Sequence, residues 1–154
     1  MKTFRKTTNR SKKLGNKERT YDGIHFKSLL EIGIYKRLKE VGFNPKYEFQ
    51  KYPVMEGFYP TKIFYEPGKD KHIKCSRTKN GVLSKVLDIT YTPDFTFYVN
   101  NVLIIIEGKG FKTDRYLITR KLFRKYMESM GDVLYFEIHT LRQLDEAIRI
   151  IKNI

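Results

Sequence analysis

Residues 91–110, YTPDFTFYVNNVLIIIEGKG, carry the strongest indication of fold in this sequence. The segment from Tyr91 to Tyr98 is rich in aromatic and β-branched residues, which predicts a strand. Asn100 and Asn101 predict a tight turn, because asparagine tolerates a positive φ. The segment from Val102 to Ile106 is a continuous apolar run, which predicts a second strand buried on both faces. We therefore expect a β-hairpin here.

Charged residues stand at the ends of these two strands. Asp94 follows Pro93 in the first, while Glu107 and Lys109 follow the apolar run. Because side chains alternate along a strand, Glu107 and Lys109 share a face, and the hairpin returns Asp94 towards them. Two buried carboxylates are costly without a cation, so the pattern favours a hard divalent metal ion with an ammonium group beside it. The alternative is that Asp94 caps a turn and Glu107 and Lys109 form an ordinary exposed pair.

Taken together, these residues resemble the PD-(D/E)xK nuclease superfamily, whose core motif is matched by Pro93, Asp94, Glu107, Gly108 and Lys109. TYTPDF, a short turn and EGKG are most similar to the phage endonuclease I family of Holliday-junction-resolving enzymes and to related small phage nucleases. The resemblance extends over roughly residues 28–126, with a gap in the middle. It implies a restriction-endonuclease-like core, which is an α/β fold (bordering on α+β) with a mixed β-sheet flanked by helices.

Composition points to nucleic acid as the partner. The chain has 154 residues with 31 Lys+Arg against 17 Asp+Glu, a formal charge of +14, which favours a polyanionic partner over an anionic membrane surface. Its single cysteine allows no internal disulfide. No apolar stretch reaches the roughly 18 residues of a membrane helix, and the basic N-terminus has no secretory apolar core. We expect an intracellular protein, in the cytoplasm of a bacterial or phage-infected host cell.

We expect a single nuclease domain spanning residues 21–154, with one basic region before it and a second inserted within it. Residues 1–20 predict a disordered basic tail that contacts phosphates without reading sequence, with Lys12 and Lys13 among its contacts. The segment 54–86 predicts an inserted basic β-ribbon or loop, over which the family resemblance fades. Its lysines and arginines, Lys74 and Arg77 among them, either form a solvated face or bind DNA.

The first helix is predicted from Ser28 to Val41, where Leu30, Ile34 and Leu38 continue one apolar stripe. Ser28 followed by Glu31 matches a capping box, which is a structural role for Glu31. The endonuclease I resemblance implies a second role, since an acid in a first-helix motif of the type S-x-L-E supplies a further metal-site carboxylate. We favour that role for Glu31.

The rest of the chain alternates strands and helices. A strand is predicted from Tyr47 to Pro53, a second helix from Asp114 to Met130, a strand from Val133 to His139, and a last helix capped by Thr140. His139 is expected to be a strand-end residue and not a ligand. The second helix is basic and begins just after EGKG, so we expect it to contact the phosphate backbone through Lys112, Arg115, Arg120 and Lys121.

The predicted function is metal-dependent hydrolysis of DNA phosphodiesters. Asp94, Glu107, the main-chain carbonyl of Gly108 and Glu31 are expected to hold Mg²⁺, for which Mn²⁺ can substitute, and Lys109 is expected to stabilise the transition state. The resemblance implies a branched substrate such as a four-way junction, and cutting it in opposed strands implies a homodimer. The alternatives are a sequence-specific restriction-type or nicking endonuclease and a catalytically silent nucleic-acid-binding protein.

Overall fold

The computed structural model describes residues 19–69, 72–76, 80–110 and 113–154. Apart from Arg19 and Thr20, the predicted basic tail lies outside these residues, as do Lys12, Lys13, Arg77 and Lys112. The elements are, in chain order, β1 (Thr20–Tyr21), β2 (Ile24–His25), α1 (Leu29–Glu40), β3 (Lys46–Tyr47), β4 (Tyr52–Met55), β5 (Tyr65–Pro67), β6 (Ile73–Cys75), β7 (Ile89–Tyr91), β8 (Phe95–Val99), β9 (Val102–Gly108), α2 (Asp114–Met127), β10 (Val133–Ile138) and α3 (Leu141–Lys152).

The predicted α/β fold is confirmed by a mixed four-stranded sheet in the order β10-β9-β8-β3. The central pair β8 and β9 is the expected hairpin, antiparallel from Phe95↔Ile106 to Val99↔Val102. Its turn residues Asn100 and Asn101 both have positive φ, 47° and 68°. Strand β10 returns parallel to β9 after the α2 crossover, which is the connection that parallel strands require.

Helices cover both faces of this sheet, and β9 separates two apolar clusters. Ile104 and Ile106 pack in a cluster with residues of α1 and α3, whereas Leu103 and Ile105 pack with residues of α2. Residues 104–106 have no exposed surface, so the run is buried on both faces as predicted. By the same alternation, Glu107 faces the α2 side and Gly108 the α1 side.

The caps set the helix boundaries close to the predicted ones. The side chains of Ser28, Thr113 and Thr140 accept hydrogen bonds from the backbone at the starts of α1, α2 and α3, and Thr140 forms a capping box with Gln143. Helix α1 ends at Glu40, and Gly42 follows with a φ of 90°. Helix α2 ends at Met127, three residues earlier than predicted.

Two strand predictions were wrong in their boundaries. Tyr91 does not continue into β8: it ends β7, which pairs with β4, and the break falls at Pro93 and Asp94 because proline lacks the N–H that a ladder needs. The strand predicted from Tyr47 to Pro53 is likewise two short strands in different sheets, separated at Glu48 with a φ of 41°. These breaks let the chain pass from one sheet to another.

Of the two forms predicted for the insertion, a β-ribbon or a loop, the structure shows a short ribbon. Strands β5 and β6 pair antiparallel, with Tyr65 opposite Cys75 and Pro67 opposite Ile73. An antiparallel bridge between Phe58 and Val86 joins the two ends of the insertion. Among the described residues, none of the helices has both the length and the apolar character that crossing a membrane requires.

Candidate active site

Three buried carboxylates gather at the C-terminal end of β9. Glu31, Asp94 and Glu107 are only 5%, 7% and 2% exposed. They come from the first turn of α1, the break before β8, and β9 itself. Gly108 lies between two of them: a Cβ added there would be 3.5 Å from Asp94 Oδ2 and 3.8 Å from Glu31 Cγ. The fold therefore brings together the acids that the sequence analysis selected.

Glu31 combines capping with a buried position beside the other acids. Its backbone N–H donates to the Ser28 hydroxyl at 3.2 Å, and that hydroxyl donates to Glu31 Oε1 at 2.7 Å. Oε2 accepts from the Tyr47 hydroxyl at 2.6 Å and from the Lys27 backbone N–H at 2.9 Å. The predicted capping box is only half formed, because the Glu31 carboxylate accepts from the Ser28 hydroxyl and the Lys27 N–H and not from the Ser28 N–H. These contacts hold the carboxylate in its buried position beside Asp94.

Asp94 is fixed by the main chain of the opposite strand. Its Oδ2 accepts a hydrogen bond from the backbone N–H of Gly108 at 2.7 Å. The packing against α1 favours glycine at this position, since a Cβ at Gly108 would lie 2.8 Å from Cδ1 of the buried Ile34. Burial raises the pKa of Asp94 to about 8, and the charges of Glu107 and Glu31 add to that rise.

Glu107 is held by one cation and one phenol. Lys109 Nζ lies 2.5 Å from Oε1, and the Tyr91 hydroxyl donates to Oε2 at 2.8 Å. Burial alone would lower the pKa of Lys109, but its hydrogen bond to Glu107 and the charges of Glu107 and Asp94 raise it, so the ammonium stays charged. The same ammonium lies 4.3 Å from the centre of the Tyr116 ring.

A chain of tyrosine hydroxyls extends from Glu107 into the α2 side of the sheet. The Tyr91 and Tyr135 oxygens are 3.3 Å apart, as are those of Tyr135 and Tyr116. Burial and the neighbouring Glu107 carboxylate raise the pKa of Tyr91, which therefore keeps its proton and remains a donor. These tyrosines were not predicted from the sequence, since only the three-dimensional fold brings β7, α2 and β10 together beside Glu107.

A second group of polar residues fixes the segment after β9. The His139 Nδ1 lies 2.6 Å from the Lys109 carbonyl oxygen, and a carbonyl only accepts, so this nitrogen carries the proton. The carboxylate of Glu137 lies 3.3 Å from His139 Nε2 and accepts from the guanidinium of Arg120 at 2.8 Å. His139 is a strand-end residue, as expected, and it also orients the backbone that carries Lys109.

The described residues that were predicted to contact DNA differ in exposure. Arg115 and Lys121 are exposed on α2, and Lys74 is exposed on β6. Arg120, by contrast, has a side chain only 18% exposed and directs its guanidinium at Glu137 inside the protein. The structure gives Arg120 an internal partner, which its place in a run of basic residues does not reveal.

The donor set suits a hard cation, although its oxygens are engaged with protein donors. Within the described residues, no group of three or more His, Cys, Asp or Glu side chains is already arranged to hold a metal ion. The residues nevertheless fit such an ion by their chemistry. Glu31, Asp94 and Glu107 offer only oxygen donors. Burial first, and then the charges of Glu107 and Glu31, raise the pKa of Asp94, and a divalent cation would offset both effects.

Fold and site together define an α/β domain with a buried carboxylate cluster and an adjacent lysine. The chain belongs to the family described as "Protein of unknown function (DUF1064)", which it matches over residues 10–140. No curated protein and no solved structure matches the chain.

Proposed function

We propose that this protein is a divalent-metal-dependent DNA endonuclease of the PD-(D/E)xK type that acts on branched DNA. The observation that carries the proposal is the burial of Glu31, Asp94 and Glu107 at one strand end, with Lys109 beside Glu107. Buried carboxylates that serve only structure are expected to pair with cations one by one. Here Asp94 has a backbone N–H as its hydrogen-bond partner and two further acids nearby.

Glu31, Asp94, Glu107 and the carbonyl of Gly108 would hold Mg²⁺ or Mn²⁺. Such an ion supplies Lewis acidity, which polarises a phosphate oxygen and makes water a better nucleophile. Lys109 stabilises negative charge that develops on the phosphate in the transition state. Tyr91 and the Gly108 N–H fix the orientation of Glu107 and Asp94, so that the site is pre-organised.

DNA binding is attributed to the positive charge around this site. Helix α2 starts at Asp114, five residues after Lys109, and exposes Arg115, Lys121 and Arg124. With a formal charge of +14, the chain is expected to bind phosphates with an affinity that falls steeply as salt rises. Paired cuts in opposed strands of a junction need two sites, so the proposal includes a homodimer.

The experiment compares a labelled four-way junction with a linear duplex of matched sequence. Each is incubated with the protein in Mg²⁺, in Mn²⁺ and in EDTA. Paired nicks in the junction that require the metal support the proposal, whereas cutting of both substrates supports a nuclease without branch selectivity. Tight binding without cleavage in any divalent metal would mean a silent binding protein and would refute the enzymatic part.

A further inference from the structure

The ribbon β5–β6 exposes an apolar face that the core of the protein does not cover. Tyr65 and Ile73 are 69% and 74% exposed. Their registers place Tyr65 opposite Cys75 and Ile73 opposite Pro67, so Tyr65, Pro67 and Ile73 lie on one face, while Glu66 and Lys74 lie on the other. A tyrosine and an isoleucine exposed this far on adjacent strands indicate a binding surface.

This face borders an open recess. Tyr65, Pro67, His72 and Ile73 line it, together with Glu66 and Gly68, and its volume is about 360 Å³. Tyr59, which precedes the ribbon in the chain, is 68% exposed. The Lys85 ammonium lies 6.0 Å from the centre of its ring. The insertion thus presents two accessible phenol rings.

The charge of the insertion identifies the partner as a polyanion. Residues 54–86 contain seven Lys and Arg against three Asp and Glu. Lys62, Lys69, Lys74 and Lys85 are all exposed. Lys74 lies on the ribbon face opposite Tyr65, whereas Lys85 lies beside the Tyr59 ring. A surface that carries both lysines and exposed aromatic rings can bind single-stranded nucleic acid, because the lysines contact phosphates and the rings stack on bases.

The ribbon is connected to the carboxylate site through paired backbone. Strands β4 and β7 pair from Tyr52↔Tyr91 to Met55↔Ile89, and the pairing resumes at Phe58↔Val86. Phe64 then exchanges hydrogen bonds with Ser76, next to the ribbon. Strand β7, which follows the insertion, ends at Tyr91, three residues before Asp94, and the Tyr91 hydroxyl donates to Glu107.

We propose that the face formed by Tyr65, Pro67 and Ile73 stacks on an unpaired base of the DNA bound at the carboxylate site. This inference rests on the proposed function and narrows its substrate class to DNA with unstacked bases near the cut, as at a branch point or gap. In a continuous duplex the faces of the bases are covered by their neighbours, so the apolar face of the ribbon has no exposed base on which to stack. Lysines alone suffice for phosphates.

The test measures the affinity of the full chain for DNA in EDTA, so that it does not depend on cleavage. The probes are a duplex with a short single-stranded gap containing 2-aminopurine and the same sequence fully paired. The variants are Tyr65→Ala, Tyr65→Phe and Ile73→Ala. Tyr98→Ala is the matched control, because Tyr98 is 70% exposed but lies on β8 beside the Asn100 turn.

We expect Tyr65→Ala to weaken binding of the gapped DNA about ten-fold and to leave the duplex affinity unchanged. Tyr65→Phe keeps the ring and should bind as the wild type does, and Tyr98→Ala should have no effect. Fluorescence of the 2-aminopurine should be quenched by the wild type and less so by Tyr65→Ala.

Three results would overturn the inference. The first is equal affinity of the wild type for both probes. The second is an affinity of Tyr65→Ala for the gapped DNA that equals that of the wild type. The third is an equal loss of affinity by Tyr65→Ala for the gapped DNA and for the duplex. A change of oligomeric state on Tyr65→Ala without DNA, measured by light scattering, would instead assign this face to a protein interface. Gap-selective binding through Tyr65 in a protein that never cuts DNA would refute the nuclease and leave the ribbon assignment intact.

Discussion

The Tyr91 hydroxyl donates a hydrogen bond to Glu107 Oε2 at 2.8 Å across two separate sheets. Tyr91 ends β7, whereas Glu107 lies near the end of β9 in the four-stranded sheet. The Tyr91 ring is fixed by Phe123 of α2, with ring centres 4.3 Å apart. One oxygen of Glu107 therefore has a fixed donor, and the other faces Lys109.

Tyr91→Phe should lower cleavage without unfolding the protein. The substitution keeps the ring and removes the donor that orients Glu107, and the loss of such an outer contact typically costs ten- to a hundred-fold in metal affinity or activity. We expect a lower kcat, a higher Mg²⁺ concentration for half-maximal rate, and unchanged DNA binding in EDTA. Metal-titrated cleavage kinetics measure all three.

Tyr52→Phe is the control for that variant. Tyr52 belongs to the same aromatic cluster, and its hydroxyl is buried without a hydrogen-bond partner among the described residues. Removing it should leave cleavage unchanged and stability equal or slightly higher. Equal cleavage by Tyr91→Phe and Tyr52→Phe would show that the Tyr91 hydroxyl does not act on Glu107.

Glu31→Gln separates the two roles of Glu31. Glutamine can keep the capping contact with Ser28, so the free energy of unfolding should fall by about 1 kcal/mol or less. Cleavage should be lost, because the carboxylate charge is gone. Thr140→Ala, which removes the cap of α3, should cost about 1 kcal/mol and cleave normally. Normal cleavage by Glu31→Gln would show that Glu31 acts only in helix capping and not at the metal site.

Gly108→Ala should damage the site, whereas Gly110→Ala, two residues later in the same motif, should be tolerated. A Cβ at Gly108 would lie 2.8 Å from Ile34 Cδ1 and close to Asp94, but at Gly110 it would meet nothing within 4 Å. Forcing a methyl group into such a packed position typically costs 1–3 kcal/mol. Thermal unfolding and cleavage rates test both variants. Equal behaviour of the two would contradict the close packing of Asp94 and α1 around Gly108.

The contribution of Asp94 to the stability of the metal-free protein should fall as the pH rises from about 4 to about 8. The pKa of Asp94 is raised from 3.8 to about 8 in the folded state, so the folded protein binds more protons than the unfolded chain within this window. The decline contributed by one such group is at most about 1.4 kcal/mol per pH unit.

Asp94→Asn should flatten that decline, because asparagine does not titrate. Mg²⁺ or Ca²⁺ should raise the Tm of the wild type more at pH 8 than at pH 5, since ions bind the ionised carboxylates. Unfolding curves across this pH range, with and without metal, measure both effects. A pH dependence that is the same in wild type and Asp94→Asn would contradict the raised pKa.

The core of the fold could be predicted from the sequence because the strongest sequence patterns are local. The apolar run before Glu107, the asparagine turn and the caps at Ser28 and Thr140 each depend on a few adjacent residues. The long strand predicted around Tyr91 was wrong because β-propensity does not show that Pro93 and Asp94 interrupt pairing between two sheets.

The acids of the candidate site were selected from the sequence, together with Lys109 and Ser28, but the tyrosines that contact them were not. Asp94, Glu107 and Lys109 stand in one motif, whereas the partners of Glu107 and Glu31 are tyrosines 16 residues away in the chain, Tyr91 and Tyr47. Tyrosine is also an ordinary core residue, so its chemical role becomes visible only with its distance to a carboxylate. Arg120 was expected to contact DNA because it lies among basic residues, but its guanidinium pairs with Glu137 inside the protein.

Cleavage and binding of one labelled four-way junction by wild type, Asp94→Asn and Glu107→Gln test directly whether the carboxylate cluster is an active site. We expect Mg²⁺-dependent nicks with the wild type, none with either variant, and equal or tighter junction binding by the variants, because Glu107→Gln removes a negative charge near the phosphate and Asp94→Asn adds none. Cleavage by both variants at the wild-type rate would contradict the assignment of this carboxylate cluster as the active site.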